Sequence, residues 1–422
     1  MATYVAGIDF GTTNSSAAIS DGKSVQMVDV ENGKETIPTA LFFSEKNQIY
    51  YGRDAQHQYI DDEESGRFMR SIKNVLGSQI MHESTVINGR PMKFTAIIEQ
   101  FIKHLKRKID AAAGTNVESV VMGRPVHFCD DDPAVDAQAQ EELEKIARNA
   151  GFKNVVFQYE PIAAAFTHEQ KLTYEQLAFV VDIGGGTSDF TVIKLSPERK
   201  LNQDRTDDVL AHTGVHIGGN DFDKALSMNT FMPYFGLGTE YKSRDRNILL
   251  PTGPFFSLST WHSVNNVYNY NTMNQVQGYV IWGIEPEKTK RLYEIIQKHL
   301  GHKNLEYVER TKIALSADTK HDVILDFLSD TPTIHATRES FEHAIAQDVN
   351  KIETAVKECL KNAKVDKNDI QLVILTGGST EIPYINNIMK SFFPNARLST
   401  ENKLASVGLG LAYDAIRRFC KK

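Results

Sequence analysis

Two stretches of the chain carry residues suited to phosphate chemistry. "AGIDFGTTNSSAAI", residues 6 to 19, and "VVDIGGGTSDFTVI", residues 180 to 193, are nearly one phrase, with Asp9 opposite Asp182, Gly11 opposite Gly184 and Ser15 opposite Ser188. A glycine-rich turn between two strands lets successive backbone N–H groups point into one concavity, and phosphate oxygens fit there. Thr12, Thr13 and Thr187 add hydroxyl donors, while Asp9 and Asp182, at the ends of their strands, offer hard oxygens suited to hydrated Mg²⁺. One such turn alone is ordinary strand punctuation; two copies with an aspartate in register point to phosphate. The P-loop pattern is absent, and no G-x-G-x-x-G opens a helix, so a nucleotide would have to be held by hairpins.

Two more Gly-Gly turns lie further on, Gly218-Gly219 in "GVHIGGNDFD" and Gly377-Gly378 in "VILTGGSTEIP". Each can admit a flat ligand close to the backbone, and each precedes an expected helix with Asn220, Asp221 or Ser379 as candidate N-cap. Plain structural turns would look the same. Glu160 precedes Pro161 at the end of an expected strand, where its side chain can project over a site or simply complement a helix dipole. Lys73, by spacing alone, is one lysine in a polar stretch.

Elements must bring these residues together. Apolar residues bracket Gly11-Thr12-Thr13-Asn14 on both sides, predicting strand, turn, strand. Ile97, Ile98, Phe101, Ile102, Leu105 and Ile109 recur at helical spacing over 95 to 112, with Lys and Arg on the other face and Gly114 as the stop. A strand is expected at 117 to 128, then a helix over 133 to 149 with Asp132 as N-cap and Pro133 in its first position. "VVFQYEPIAAAF" reads as a strand running into a helix start, and "IQLVILTGGSTEIPYINNIMKSFF" as a buried strand, a turn and an amphipathic helix. The same order of elements therefore occurs twice, a duplicated α/β architecture.

Composition narrows the function classes. A formal charge of −7 argues against sequence-independent nucleic-acid binding and against anionic membranes. No signal peptide or apolar membrane span is read, and three scattered cysteines, Cys129, Cys359 and Cys420, fit a reducing, cytoplasmic setting. Residues 231 to 282 stand apart, with eleven of the chain's 39 aromatics, including Trp261 and Trp282, beside an asparagine-rich patch. Disordered linkers are poor in aromatics, so the segment is expected to be ordered, as a packing insertion or a binding surface.

The set "GIDFGTTNS", "YEPIAAA", "VVDIGGGTSDF", "HIGGNDFD", "ERTKIALS" and "LTGGSTEIP", in this order, resembles the ATPase domain of the heat-shock seventy (DnaK-type) chaperones, over nearly the whole chain. Within that family it looks most like the YegD-type homologues lacking the peptide-binding domain. The resemblance implies an actin-like (ribonuclease H-like) α/β ATPase fold with two duplicated lobes around a nucleotide cleft. Lobe I would span 1–176 with 399–422 returning to it, and lobe II 177–398, including the insertion at about 231–285. It implies ATP or ADP with Mg²⁺, and K⁺, near Asp9, Asp182 and Asp189. Gly11, Thr12, Thr13 and Asn14 would cradle the β-phosphate, and Gly184, Gly185, Gly186 and Thr187 would cap the γ-phosphate. Lys73 is similar to the family's γ-phosphate lysine and Glu160 to its water-orienting glutamate. Glu309, Lys312 and Ser316 match ribose and adenine contacts, with Gly218, Gly219, Gly377, Gly378 and Ser379 closing the adenosine pocket. Lys73, Glu160, Asp182 and Thr187 would form the catalytic set of a slow, Mg²⁺-dependent ATPase.

Glu381 stands where the family usually has an arginine that stacks on adenine, and Leu404 where it has an aspartate. After "LGLAYDAIRRFCKK" no linker or peptide-binding domain follows in this sequence, so usual peptide chaperoning is not expected of it. A monomeric, nucleotide-driven switch for a protein partner or co-chaperone is the leading expectation. An actin-like polymerising ATPase, a small-molecule kinase and a nucleotide sensor with little hydrolysis remain open.

Overall fold

The computed structural model describes residues 4–62, 65–129, 132–169, 172–199, 202, 205–261, 263–399 and 405–420. Packing divides the chain into two compact units, one of residues 1–216, 354–380 and 387–422, the other of 217–353 and 381–386. This division follows packing density, whereas the expected lobe boundary at 176/177 follows the repeat.

The first unit contains two sheets of matching topology. In one, the strands run in the order Asn154–Tyr159, Ser119–Arg124, Val5–Phe10, Asn14–Ser20, Val25–Met27, with Thr36–Pro38 also on Asn14–Ser20. In the other the order is Arg397–Ser399, Leu372–Thr376, Gln176–Ile183, Ser188–Leu195, Val209–Val215. Each sheet centres on an antiparallel hairpin whose first strand takes a parallel neighbour on its other side. The repeated phrase is thus the hairpin of each sheet, with Asp9 paired to Ser16 and Asp182 to Asp189.

The helix expected over 95 to 112 spans Phe94–Ala113, ends at Gly114 in the left-handed region (φ 65°), and buries the six predicted apolar residues. Each such side chain stabilises by about 2 kcal/mol, which fixes the helix on the first sheet. Lys106 departs from the expected polar face. It is buried, and its Nζ donates to Asp110 Oδ1 at 2.7 Å and to Asn116 Oδ1 at 2.7 Å. The helix Pro133–Asn149 starts as expected, with the Asp132 carboxylate accepting from the N–H groups of Ala134 and Val135.

A second core lies where Val5 and Val121 of one sheet and Ala178, Val180, Leu372 and Ile374 of the other share the helices Glu160–Glu169 and Ser406–Phe419. The alanines of "PIAAAF" are small because the C-terminal helix lies against them. A Cβ at Gly410 would stand 1.8 Å from the Ala163 carbonyl oxygen, so only glycine permits that approach. Gln158 Nε2 donates to the buried Asp414 carboxylate at 3.1 Å, tying the same helix to the first sheet.

The expected helix caps at the two later Gly-Gly turns are corrected. Helix Gly219–Leu226 takes Gly218 as N-cap, while Asp221, three residues on, reaches back to accept from the Gly218 N–H at 2.9 Å. Ser379 lies in a short 3₁₀ turn, Gly378–Glu381, ahead of the helix Pro383–Phe392. In both cases glycine takes the extended or turning backbone, and the polar side chain satisfies a group earlier in the chain, Gly218 N–H for Asp221 and Gly184 O for Ser379.

The aromatic-rich segment is ordered. It holds the hairpin Glu240–Ser243/Arg246–Leu249 and the helices Gly253–Leu258 and Tyr270–Trp282, held down by Phe231, Phe235, Phe255, Val264, Val276 and Tyr279. Cys129, Cys359 and Cys420 are free thiols. Among the described residues no helix is long and apolar enough to cross a membrane. Leu404 lies outside the described residues.

Candidate functional site

The two hairpin turns meet within the first unit. A Cβ built on Gly185 would fall 1.5 Å from Thr13 Oγ1 and 2.7 Å from Thr13 Cβ, so position 185 of the second turn is glycine because the first turn's threonine occupies the space a side chain would need. Thr13 Oγ1 is buried and has no hydrogen-bond partner. A buried hydroxyl without a partner costs about 1–3 kcal/mol, a cost that a ligand oxygen at this turn would offset.

The turns are braced differently. At the first, Thr39 Oγ1 donates to Gly11 O at 2.7 Å and contacts Ser15 Oγ at 2.8 Å, while Thr12 Oγ1 donates to Asn74 Oδ1 at 3.3 Å. At the second, Gly184 N–H donates to Thr187 O at 3.0 Å, Ser379 Oγ to Gly184 O at 3.2 Å, and Thr187 Oγ1 to Asp189 Oδ2 at 3.0 Å. His212 Nε2 stands 3.5 Å from Asp189 Oδ1, and its Nδ1 contacts Thr191 Oγ1 at 3.1 Å.

Lys73, unmarked by its sequence context, sits in the turn Ile72–Val75, entered through Ser71 in the left-handed region (φ 57°). Its Nζ donates to Glu160 Oε1 at 2.7 Å, and both side chains are nearly buried. Glu160 is the first residue of the helix that carries the alanine run, which fixes where its carboxylate points. Burial lowers the Lys73 pKa, but the charge and hydrogen bond of Glu160, with Asp9 and Asp182, outweigh it and hold the ammonium above its usual value.

Burial pushes the Asp9 carboxyl up to about 7, the Glu160 charge adds to this, and Lys73 opposes it. Asp182 is raised well above the ordinary carboxylate range by burial, then by Glu160, Asp189 and Asp9, again with Lys73 opposing. One lysine thus faces several carboxylates whose negative charge it cannot neutralise. Among the described residues no three His, Cys, Asp or Glu side chains form a group that could hold a metal ion directly. Excess negative charge without a convergent ligand set fits a divalent cation that keeps its water shell, the usual habit of Mg²⁺. The unpartnered Thr13 hydroxyl fits the same occupant with its phosphate.

The structure therefore gathers Asp9, Lys73, Glu160, Asp182, Thr187 and Asp189 with the turns Gly11–Asn14 and Gly184–Gly186; Gly377, Gly378 and Ser379 belong to the same unit. Gly218, Gly219, Glu309, Lys312 and Ser316 lie in the second unit. There Lys312 Nζ donates to Asp223 Oδ2 at 2.8 Å and to Gly219 O at 3.3 Å, and Ser316 Oγ donates back to Lys312 O. Glu381 is in that unit too. Sequence reasoning missed Thr39, Asn74 and His212. Each acts through hydrogen bonds or close approaches to residues elsewhere in the chain, and none sits in a motif.

Comparison with known proteins bears on the family. The profile described as "Hsp70 protein" matches residues 5–242 and 285–416. The chain is similar to "Chaperone protein DnaK" of Thermosipho melanesiensis, 26% identical over 98% of this chain and 59% of that protein. It is likewise similar to the proteins of that name from Thermosipho africanus, 26% identical over 98% and 58%, and Mycoplasmopsis agalactiae, 26% identical over 97% and 58%. The chain spans less than three fifths of the length of these curated relatives. The repeated hairpins, the shared sheet topology and a profile match over most of its length place this chain in the Hsp70 family, with the actin-like ATPase fold of that family.

Proposed function

We propose that this chain binds ATP with Mg²⁺ at the paired hairpins and hydrolyses it slowly, its nucleotide state being read by a protein partner. The observation that carries this reading is the buried Lys73–Glu160 pair set among Asp9 and Asp182, beside two turns packed so closely that Gly185 can be nothing larger. Lys73 is the cation that acts on Asp9, Asp182 and Glu160, so an arriving γ-phosphate competes with Glu160 for its Nζ. Glu160, released from that bond, has a carboxylate oxygen free to accept from a water and hold it for in-line attack on phosphorus. Thr187, now donating to Asp189, supplies a second hydroxyl contact for that water or the phosphate.

Charge spreads over the transferring phosphoryl oxygens, and backbone donors of Gly11–Asn14 and Gly185–Thr187 would stabilise it, the Gly184 N–H being already bonded to Thr187 O. Positioning and fixed charge therefore supply the acceleration. When bound, Mg²⁺ offsets the repulsion between phosphate and the Asp9, Asp182 and Asp189 carboxylates. K⁺ would occupy the same acidic surroundings. On this reading Gly377, Gly378 and Ser379 of the first unit, and Gly218, Gly219, Glu309, Lys312 and Ser316 of the second, are each candidate adenosine contacts. Lobes drawn at 1–176 with 399–422 and at 177–398 would close on the γ-phosphate and relax after hydrolysis.

The test is nucleotide binding and single-turnover hydrolysis for wild type, Lys73→Ala and Thr187→Ala. The expected result is retained binding with hydrolysis slowed by about 10²–10³ in Lys73→Ala, the loss typical of removing one preorganised charge donor. Hydrolysis unchanged in both variants would remove the site assignment.

A further inference from the structure

From Asn247 to Ile284 the chain contains no Asp, Glu, Lys or Arg, in a protein that is 24% charged. The same stretch falls in the interruption of the family match, between residues 242 and 285. Uncharged segments usually lie in a core, yet this one, anchored by buried Phe255, Val264 and Val276, also keeps large apolar side chains on the outside. Of the twelve large hydrophobic residues exposed among those described, six belong to it: Leu249, Phe256, Tyr270, Ile281, Trp282 and Ile284. Phe256 is covered by the Lys224 ammonium, 3.9 Å above its ring. The others lie along helix Tyr270–Trp282 and the strand positions that pair beside its end.

Backbone pairing supplies the connection. Tyr241 bridges to Gly283, Ile284 N–H donates to Glu240 O at 2.9 Å, and Glu240 is paired with Leu249, so Leu249, Glu240 and Ile284 form one cross-strand row. Helix Tyr270–Trp282 runs into that row. It buries Val276 and Tyr279 on one face, and helical spacing places Tyr270, Asn274, Gln277 and Ile281 together on the opposite one. Tyr270 is 79% exposed, Ile281 64% and Trp282 58%. A Cβ at Gly278 would meet nothing within 4 Å, so the flank of this face is open to close approach by another backbone. The helix face is apolar and uncharged, with Glu240 the charged member of the row that adjoins it, and an apolar face that remains in water marks an interaction surface.

We propose that this surface is a two-fold contact between two copies of the chain. A two-fold interface lays a patch on itself, so any charged group near its centre would confront its own like charge. The net charge of −7 makes most other pairings of two copies repulsive, and the stretch 247–284 is free of that repulsion. Asn274 and Gln277 each carry donor and acceptor on one amide, so each can pair with its own copy. A charged partner would find no counter-charge on the segment, and an interfacial membrane helix needs the Lys and Arg that are missing. The helix is about 20 Å long, so with the adjoining row the contact lies at or below the standard size of about 800 Å² per partner. The dimer is accordingly weak, reversible and dependent on concentration.

Sedimentation velocity of the full chain without nucleotide, from about 1 to about 200 μM, tests this over the range expected of a small interface. Wild type should shift from monomer to dimer with rising concentration and stop there. Ile281→Lys and Ile281→Glu should each weaken association at least about tenfold, as for a central apolar contact, with unchanged melting temperature because Ile281 is exposed. Mixing the two variants should restore dimer, since opposite charges then meet across the axis. A wild type that stays monomeric, a dimer indifferent to both substitutions, or growth into open polymers would overturn the proposal. So would a monomer that uses Ile281 to bind zwitterionic phosphatidylcholine vesicles or an uncharged apolar peptide.

Discussion

The two hairpins share a trace and a phrase but carry different loads. Asp9 is paired across its hairpin with Ser16, and Asp182 with Asp189, so the second hairpin brings an extra carboxylate to the same charged cluster. The first turn keeps Thr12 and Thr13 as side chains, whereas the second gives up its side chain at Gly185, where Thr13 fills the space. Duplication thus produced two complementary surfaces, one that projects a hydroxyl and one that recedes to admit it. A single hairpin could gather neither the paired aspartates nor the buried Lys73–Glu160 bond among them.

The most damaging test of this complementarity is Gly185→Ala. A methyl 1.5 Å from Thr13 Oγ1 must push the turns apart, and a displacement of about 1 Å at a reacting centre costs about 10²-fold in rate. Single-turnover hydrolysis should fall by at least that factor, and Gly185→Ala combined with Thr13→Gly should recover part of it. Gly184→Ala is the control within the same turn: its Cβ would meet only Thr187 O at 3.6 Å, an ordinary contact, and the rate should change less than about threefold.

Next in size is Lys73→Ala, measured by urea unfolding without nucleotide. Removing one partner of a buried ion pair destabilises by about 3–5 kcal/mol, and the carboxylates left behind respond partly by taking up protons, so the lower figure is expected. Glu160→Gln should cost less, because the amide still accepts from Nζ and one negative charge leaves an overfilled cluster.

The pH dependence separates the hairpins more finely. Asp9 is held up to about 7 in the fold against 3.8 when exposed, so between roughly pH 4 and 7 the folded state keeps a proton that the unfolded state has lost. Folding therefore binds protons, and stability falls as pH rises through this window. Asp9→Asn should flatten the fall, leaving the part that comes from Asp182. Binding of Mg²⁺-nucleotide should release protons near pH 6.5, seen as a buffer-dependent heat in calorimetry, because added positive charge lowers both carboxyls. An Asp9→Asn slope equal to that of wild type would show that Asp9 does not carry the effect.

The smallest expected change is Thr12→Ala, which removes only the 3.3 Å bond to Asn74 at an exposed position. Stability should change by less than about 1 kcal/mol, the net worth of one such bond. A larger loss would make the first turn as tightly determined as the second.

The phosphate hairpins were legible because their signal is local: glycine, threonine and aspartate at fixed spacing between apolar runs. Asp132 could be read as a cap, and the helix on Phe101 and Leu105 as a helix, for the same reason. Lys106 was misplaced because burial of an ammonium depends on Asp110 and Asn116 being there to receive it. Asn220, Asp221 and Ser379 were misassigned as caps because the choice among neighbouring residues turns on which backbone group is left unsatisfied in three dimensions. Thr39, Asn74 and His212 were invisible, their partners lying across the fold.

The sequence by itself determined the duplication, the candidate phosphate-binding turns and the family, since each is written in short-range residue order. Only the tertiary structure decided that Lys73 is bonded to Glu160, that Asp9 titrates near neutrality, and that Thr13 meets Gly185. Each of these depends on removing water from groups brought together from distant parts of the chain, and desolvation is set by the whole packed environment, not by spacing along the chain.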